Sequence, residues 1–306
     1  VRIRAILNPR AGVAARRALL RLQEHRPRWP ALDVRITTAP GDARAWASEA
    51  AREGVDVLLV AGGDGTANEA AWGLLGSRTA LGLVPVGSGN GLARTLGIPL
   101  RPDRALAVLE DAVPRRMDVG MVNDRPFLNV AGAGFDATVG AEFHAHGRRG
   151  GRRGLFTYVW LSLGQSLRYR AQQWTLKAGE TGFQGRAFVI AFVNGRQYGG
   201  AATIAPGARL DDGLLDIVVV EDAPLPEVLW NAPRLFLGSI ERFRRYRRLA
   251  APQALLTGIA PAVFHRDGEP EPAADRLEVR VEPRALTVLV PRAMEADPLG
   301  PFGPSG

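Results

Sequence analysis

The pattern of hydrophobic and polar positions changes character once along the chain. Up to about residue 118, short apolar runs alternate with segments of helical spacing. Residues 2–7 form a strand-like run ended by the breaker pair Asn8-Pro9, and residues 14–25 place Leu19, Leu20 and Leu22 at helical spacing. Residues 32–37 alternate as a strand and residues 43–53 as an amphipathic helix. Residues 55–60 are a short apolar run, the mark of a strand buried on both faces of a parallel sheet. A helix over 68–75, a strand over 81–86 and a helix opening near Gly91 continue the series. Repeated β-α-β order predicts an α/β domain over residues 1–118, a doubly wound, Rossmann-like sheet.

Beyond Asp118 the pattern predicts strands over 127–130, 186–193, 202–205 and 214–220, joined by turns containing Gly and Asp. Helical spacing returns over 155–169 and 226–240, and two further strands are expected at 277–281 and 285–290. A second, antiparallel β-sandwich-like domain over 119–284 is therefore expected. Residues 285–297 are expected to pack back on the first domain, and the Pro/Gly-rich residues 298–306 to be disordered. No run reaches the ~18–20 apolar residues of a membrane-spanning helix. The alternating N-terminus lacks the apolar core of a signal peptide, so the expectation is a cytoplasmic protein.

Composition narrows the chemistry. A chain of 306 residues, 46% hydrophobic, has material for two cores. Without cysteine there are no disulfides or thiolate metal sites. The net charge of +8 is carried almost entirely by arginine, Lys177 being the only lysine. That charge fits an anionic partner or an arginine-biased composition, and does not choose between them.

Three loops follow three of the expected parallel strands, where open α/β sheets bind ligands. After residues 55–60 comes Gly62-Gly63-Asp64-Gly65-Thr66, followed by a helix. Glycines there let backbone N–H groups approach phosphate oxygens, and a helix N-terminus adds positive potential. Pro85-Val86-Gly87-Ser88-Gly89-Asn90-Gly91 follows the next strand, and Asn8-Pro9-Arg10-Ala11-Gly12 follows the first. Neither glycine loop holds a P-loop lysine, which disfavours a P-loop kinase or GTPase. Gly132-Ala133-Gly134 lacks the third glycine of a dinucleotide fingerprint and is expected to be a bend. Asp211-Asp212-Gly213 and Asp267-Gly268-Glu269 read by themselves as turns, or as carboxylates for a metal and a proton.

In order, these loops resemble the N-terminal motifs of the diacylglycerol kinase catalytic-domain family, which includes bacterial lipid kinases and sphingosine kinases. The resemblance continues through Asn194-Gly195-Arg196-Gln197-Tyr198-Gly199-Gly200, Ala205-Pro206, Asp211-Asp212-Gly213-Leu214-Leu215-Asp216, Asp267-Gly268-Glu269 and Pro283-Arg284-Ala285-Leu286. It implies an ATP-dependent lipid kinase that phosphorylates diacylglycerol or a related lipid alcohol, a step of phospholipid biosynthesis. Nucleotide contacts implied by it are Asn8, Pro9, Arg10, Ala11, Gly12, Gly63, Asp64, Gly65, Thr66, Ala67, Asn68, Glu69 and Ser88, with Thr37, or else Thr38, beside them. It also implies a structural Mg²⁺ on Asp212 and the backbone carbonyls of Arg209 and Leu214. Glu269 would accept the proton, and Asp64 would be linked toward the metal through water. Gly91 stands where many relatives carry Asp.

The implied partners are a nucleoside triphosphate, a lipid acceptor and, transiently, the anionic inner surface of a membrane. A homodimer is compatible with this, and no nucleic-acid fold is recognisable. Arg148, Arg149, Arg152 and Arg153 ahead of Leu155 and Phe156 are the preferred membrane contact, and Arg242, Arg244, Arg245, Arg247 and Arg248 interleave with Phe243 and Tyr246. An NAD-kinase-like phosphotransferase and a non-catalytic nucleotide-binding module are the competing readings.

Overall fold

A computed structural model describes residues 1–11, 13–24, 32–148, 169–199, 202–295, 297 and 300–303. The chain divides into two compact units. One comprises Val1–Val119, Leu210–Asp212 and Pro283–Gly306, the other Gly120–Arg209 and Gly213–Glu282. The return of residues 210–212 to the first unit leaves no trace in the hydrophobic pattern.

In the first unit, strands β1 (Ile3–Leu7), β2 (Asp33–Ile36), β3 (Val57–Gly62) and β4 (Ala80–Pro85) form a parallel sheet in the order β2-β1-β3-β4. Its register decides where the loops emerge. Leu7 is paired with Ile36 on one side and Ala61 on the other, and Gly62 with Pro85. The four strands thus end level, and their following loops leave from one edge. Central β3 is apolar because both its neighbours and both its faces are covered, as its sequence predicts.

Small residues bring two helices of this unit close. Ala43, Ala47 and Ala50 are the buried face of α2 (Asp42–Arg52), which meets α3 (Asp64–Leu74) at Gly73. A Cβ on Gly73 would stand 2.4 Å from the Arg44 carbonyl oxygen, so only glycine permits this approach. Helix α1 (Val13–Glu24) buries Ala15, Ala18 and Leu22, and the short helices α4 (Gly91–Thr95) and α5 (Pro102–Leu109) follow β4. The C-terminal end of the last strand closes the sheet, with Val288 pairing in parallel with Leu81. Buried Asp118 accepts a hydrogen bond from the N–H of Arg284 at 2.7 Å and so fixes the turn that leads into that segment.

The end of the chain corrects one expectation. Phe302 is only 4% exposed, and the Arg115 guanidinium lies 5.0 Å from its ring centroid. Gly303 N–H donates to the Asp211 carboxylate at 2.8 Å, and the Pro301 carbonyl accepts from Leu210 N–H at 2.7 Å. Proline and glycine content suggested disorder over 298–306, but one aromatic ring and two peptide groups hold residues 301–303.

The second unit is antiparallel. Strand β5 (Val113–Val122), whose residues up to Val119 belong to the first unit, and β6 (Arg125–Phe127) lead into β7 (Val130–Gly134), followed by helix α6 (Phe135–Arg148). Strand β8 (Gln172–Ala178) and the long β9 (Thr181–Val193) form a hairpin. After the short β10 (Gln197–Gly199) and β11 (Ala202–Thr203) come β12 (Leu215–Glu221), helix α7 (Leu225–Asn231), β13 (Tyr246–Ala251), β14 (Gln253–Arg266) and β15 (Glu269–Val290), whose residues from Pro283 belong to the first unit. β9 and β14 each pair with β8 along one part and with β7 along another, so the pairings close on themselves. Inside lie Trp174, Phe192, Leu256 and Leu277. Irregular register in β14 between Thr257 and Phe264 lets it change partner.

Several elements here differ from the sequence expectation. Gly132-Ala133-Gly134 is part of strand β7, not a bend. The interval 226–240 is helical only to Asn231, then turns through a 3₁₀ segment, Ala232–Leu235, that contains Pro233. β8, β14 and α6 were not anticipated. Residues 155–168 lie outside the described residues.

Candidate active site

In the first unit the loops after β1, β3 and β4 are tied to one another by specific contacts. Asn8 Oδ1 accepts from Arg10 N–H at 3.0 Å, which folds the loop after β1 back on itself. The same side chain's Nδ2 donates to Thr66 Oγ1 at 2.9 Å. Thr66 is buried over Gly62, where a Cβ would stand 2.6 Å from the Thr66 Cβ. Thr66 therefore links the first loop to the second.

The second and third loops meet backbone to backbone. A Cβ on Gly87 would lie 2.5 Å from Gly63 Cα, so a side chain there would push the loops apart. Asp64 opens α3 and its Oδ1 accepts from Gly91 N–H at 2.6 Å, joining the second loop to the start of α4 (Gly91–Thr95). Its Oδ2 occupies the space that a Gly89 Cβ would need, 2.7 Å away. Asn90 takes a left-handed conformation, φ 54°, and clasps the third loop by accepting from Gly87 N–H and donating to Gly87 O. Ser88 is left exposed at that loop's tip.

Around this centre, Glu69 Oε2 accepts from Gly41 N–H at 3.0 Å, holding α3 to the turn before α2. Thr37 N–H and hydroxyl both donate to the Leu7 carbonyl, while Thr38 is bound by Asp42. Donation from Thr38 and Ala39 lowers the Asp42 pKa below the usual carboxylate range. Pro9 and Arg10 are exposed beside these residues. Gly65 is exposed, Ala67 is buried, and Asn68 is half-buried on α3. Thus Asn8, Thr37, Gly63, Asp64, Thr66, Glu69 and Ser88 all belong to one edge of one sheet. Gly12 lies outside the described residues, and of Ala11 only the backbone is described.

The hairpin between β14 and β15 separates its two carboxylates. Asp267, at φ 47°, receives three backbone N–H groups, from Leu128 at 2.7 Å, Asn129 at 2.8 Å and Val130 at 3.1 Å. That carboxylate is committed to holding the strand β7 entrance. Glu269, two residues on, is exposed.

Behind the hairpin is a buried polar cluster that no contiguous motif announces. His265 Nε2 lies 2.9 Å from Asp136 Oδ2, and Tyr198 OH donates to the same oxygen at 2.5 Å. Gly268 N–H donates to His265 Nδ1 at 3.3 Å, which assigns the ring proton to Nε2, facing the carboxylate. Asp136 is 4% exposed and His265 5%. Gly132 makes room for both, since a Cβ there would stand 2.1 Å from Asp136 Oδ2. The cluster draws on four separate elements. Alternation in β14 puts Ala262 and Phe264 on the core face and His265 on the other, so no sequence pattern announced this histidine.

Arg209, Asp212 and Leu214 lie in the loop before β12. Asp212 is exposed, and Gly213 turns the chain at φ 73°. Neighbouring Asp211 is bound to Gly303 N–H and Arg115. Among the described residues no three His, Cys, Asp or Glu side chains cluster for a metal. One carboxylate and two peptide carbonyls nevertheless make an all-oxygen donor set that suits Mg²⁺. Of the basic group at 148–153, only the backbone of Arg148 is described, and Leu155 and Phe156 are outside the described residues. No helix among the described residues is long and apolar enough to cross a membrane.

Comparison with known proteins gives the family. Residues 2–122 match the diacylglycerol kinase catalytic domain, and residues 129–290 match the YegS C-terminal NAD kinase beta sandwich-like domain. A Pseudomonas putida protein named "Probable lipid kinase YegS-like" is 34% identical over 85% of this chain and 85% of its own. A Pseudomonas aeruginosa protein of the same name is 34% identical over 92% of this chain and 89% of its own. The crystal structure of a Bacillus anthracis diacylglycerol kinase shares the fold, with a TM-score of 0.71 and 21% identity over 95% of this chain and 97% of that one. The chain therefore belongs to the family of YegS-like lipid kinases, built from a diacylglycerol kinase catalytic domain followed by a YegS C-terminal domain.

Proposed function

We propose that this lipid kinase moves the γ-phosphoryl group of ATP onto the hydroxyl of a lipid alcohol such as diacylglycerol. The observation that carries the reading is the convergence of three loops at one sheet edge, joined through Asn8–Thr66, Gly63–Gly87 and Asp64–Gly91. We read the first unit as a Rossmann-like nucleotide domain. Its glycines open the backbone to phosphate oxygens, α3 directs its N-terminus to them, and exposed Arg10 and Ser88 stand beside them.

Phosphoryl transfer asks mainly for positioning and for charge placed where charge develops. As the lipid oxygen bonds to the γ-phosphorus, the bond to the β-phosphate oxygen breaks, ADP leaves, and the hydroxyl proton needs an acceptor. Glu269 would take it. Asp267 is the poorer candidate because three peptide N–H groups already occupy it. The His265–Asp136–Tyr198 cluster would hold the hairpin still through the Gly268 N–H. Mg²⁺ on Asp212 and the carbonyls of Arg209 and Leu214 would brace the loop before β12. Contact with an anionic membrane surface would give access to the acceptor.

Labelled ATP, Mg²⁺ and separate acceptors test the reading. Label is expected in an organic-soluble phospholipid when diacylglycerol or another lipid alcohol is supplied. Transfer to NAD instead would establish the NAD-kinase alternative, and nucleotide binding without transfer to any acceptor would leave only a binding module.

A further inference from the structure

The segment from Pro224 to β13 exposes an unusual set of side chains. Proline at 224, 226 and 233 limits α7 to seven residues, and Gly238 at φ 61° turns the chain again. Asn231 Nδ2 donates to the Glu227 carbonyl at 2.8 Å and steadies the bend. Val228 and Leu235 pack against the core beside Val218 and Tyr246, and Ile240 and Phe243 are buried. The residues between them point the other way. Trp230 is 82% exposed, Leu237 76% and Phe236 51%, with Leu229 also exposed. Single exposed leucines are ordinary, but a nearly bare tryptophan with phenylalanine and two leucines in one short segment is not.

Charge identifies what covers them. Residues 225–248 carry Arg234, Arg242, Arg244, Arg245, Arg247 and Arg248 against Glu227 and Glu241 alone. Glu227 is engaged by Arg245 at 3.1 Å and Arg244 at 3.7 Å, and Glu241 by Arg248 at 3.7 Å, while Glu221 and Asp216, outside this stretch, pair with Arg247 and Arg248. A two-fold dimer through this segment would set like against like, arginine facing arginine. An anionic bilayer accepts both parts, because tryptophan, phenylalanine and leucine enter the interfacial region while arginines meet lipid phosphates.

We propose that residues 229–237 are the bilayer-docking surface of this protein, with Trp230, Phe236 and Leu237 inserting and the following arginines reading negative surface charge. The proposal draws on the lipid-kinase reading only for its reason to visit a membrane. Its deciding measurement, partitioning onto vesicles, uses no nucleotide, so the two fail separately. The full chain is spun with vesicles of phosphatidylcholine, with or without phosphatidylglycerol. Wild type partitions onto the phosphatidylglycerol vesicles, and added salt weakens this. Combining Trp230→Ser with Leu237→Ser lowers partitioning by ~10-fold or more, since the apolar contact is lost. Arg242→Gln, Arg244→Gln and Arg247→Gln together remove most of the preference for phosphatidylglycerol. Turnover of a short-chain, dispersed lipid alcohol by the double variant stays at the wild-type level. Wild-type partitioning by the double variant would overturn the proposal. So would a change in its lipid-free oligomeric state, which would make the patch a self-association surface.

Discussion

The two regions that carry the proposed chemistry are built on opposite plans. At the sheet edge of the first unit the backbone is the working surface, and glycines 63, 87 and 89 exist to let main chains and one carboxylate approach closely. At the β14–β15 hairpin the proposed working group is a side chain, Glu269, next to Gly268, whose N–H is held by the buried cluster of His265, Asp136 and Tyr198. A phosphate chain is recognised well by many N–H groups in a fixed curve, whereas a proton acceptor needs one carboxylate in one place. The first plan depends on close approach of backbones, and the second on the identity and packing of a few buried side chains.

Asp64 is the sharpest exception, a side chain at work in the backbone-built region. It joins Gly91 N–H, so its removal has a structural cost. Asp64→Asn keeps an oxygen acceptor for that bond and removes only the charge. Phosphoryl transfer is expected to fall by ~10²–10⁴-fold with the melting temperature unchanged. Retention of more than about half the wild-type rate would remove Asp64 from the catalytic assignment.

The comparison itself is broken or upheld by adding one methyl group to each region. Gly132→Ala drives a Cβ into Asp136 and His265, both buried, and is expected to destabilise the fold by about 1–3 kcal/mol in denaturant unfolding. Gly87→Ala meets the Gly63 backbone at a loop and is expected to weaken ATP binding more than it lowers stability. If Gly87→Ala proved the more destabilising, with nucleotide affinity intact, the assignment of the two plans would be reversed.

How much was legible in sequence follows the same division. The glycine loops are contiguous and sit after apolar runs, so Gly63, Asp64, Thr66 and Ser88 could be named from the chain alone. The cluster behind Glu269 combines positions 132, 136, 198 and 265 from four elements, with the register of β7 and β14 setting Gly132 opposite His265. Gly132 looked like a bend because its need for space comes from Asp136 and His265, and the latter is far away in sequence. β8 alternates buried Trp174, Leu176 and Ala178 with polar residues, a visible pattern diluted by Gln172, Gln173 and Lys177. The captured Phe302 was hidden by a Pro/Gly-rich setting.

A smaller effect concerns the loop before β12. If Mg²⁺ binds there, its addition raises the melting temperature of wild type, and EDTA reverses this. At a hundred times the dissociation constant the gain is about 2.7 kcal/mol. Asp212→Ala should abolish the Mg²⁺-dependent part. Wild-type melting indifferent to Mg²⁺ and EDTA would exclude a structural metal at this loop.

The most direct test sets wild type beside Glu269→Gln, with labelled ATP, Mg²⁺ and dispersed diacylglycerol or another lipid alcohol, while nucleotide affinity is measured in parallel. Wild type is expected to label the lipid, and the variant to do so ~10²-fold more slowly at unchanged ATP affinity, because glutamine keeps the shape but cannot accept the proton. Equal rates for the two proteins, or label appearing in no lipid at all, would contradict a lipid kinase that uses Glu269 as its base.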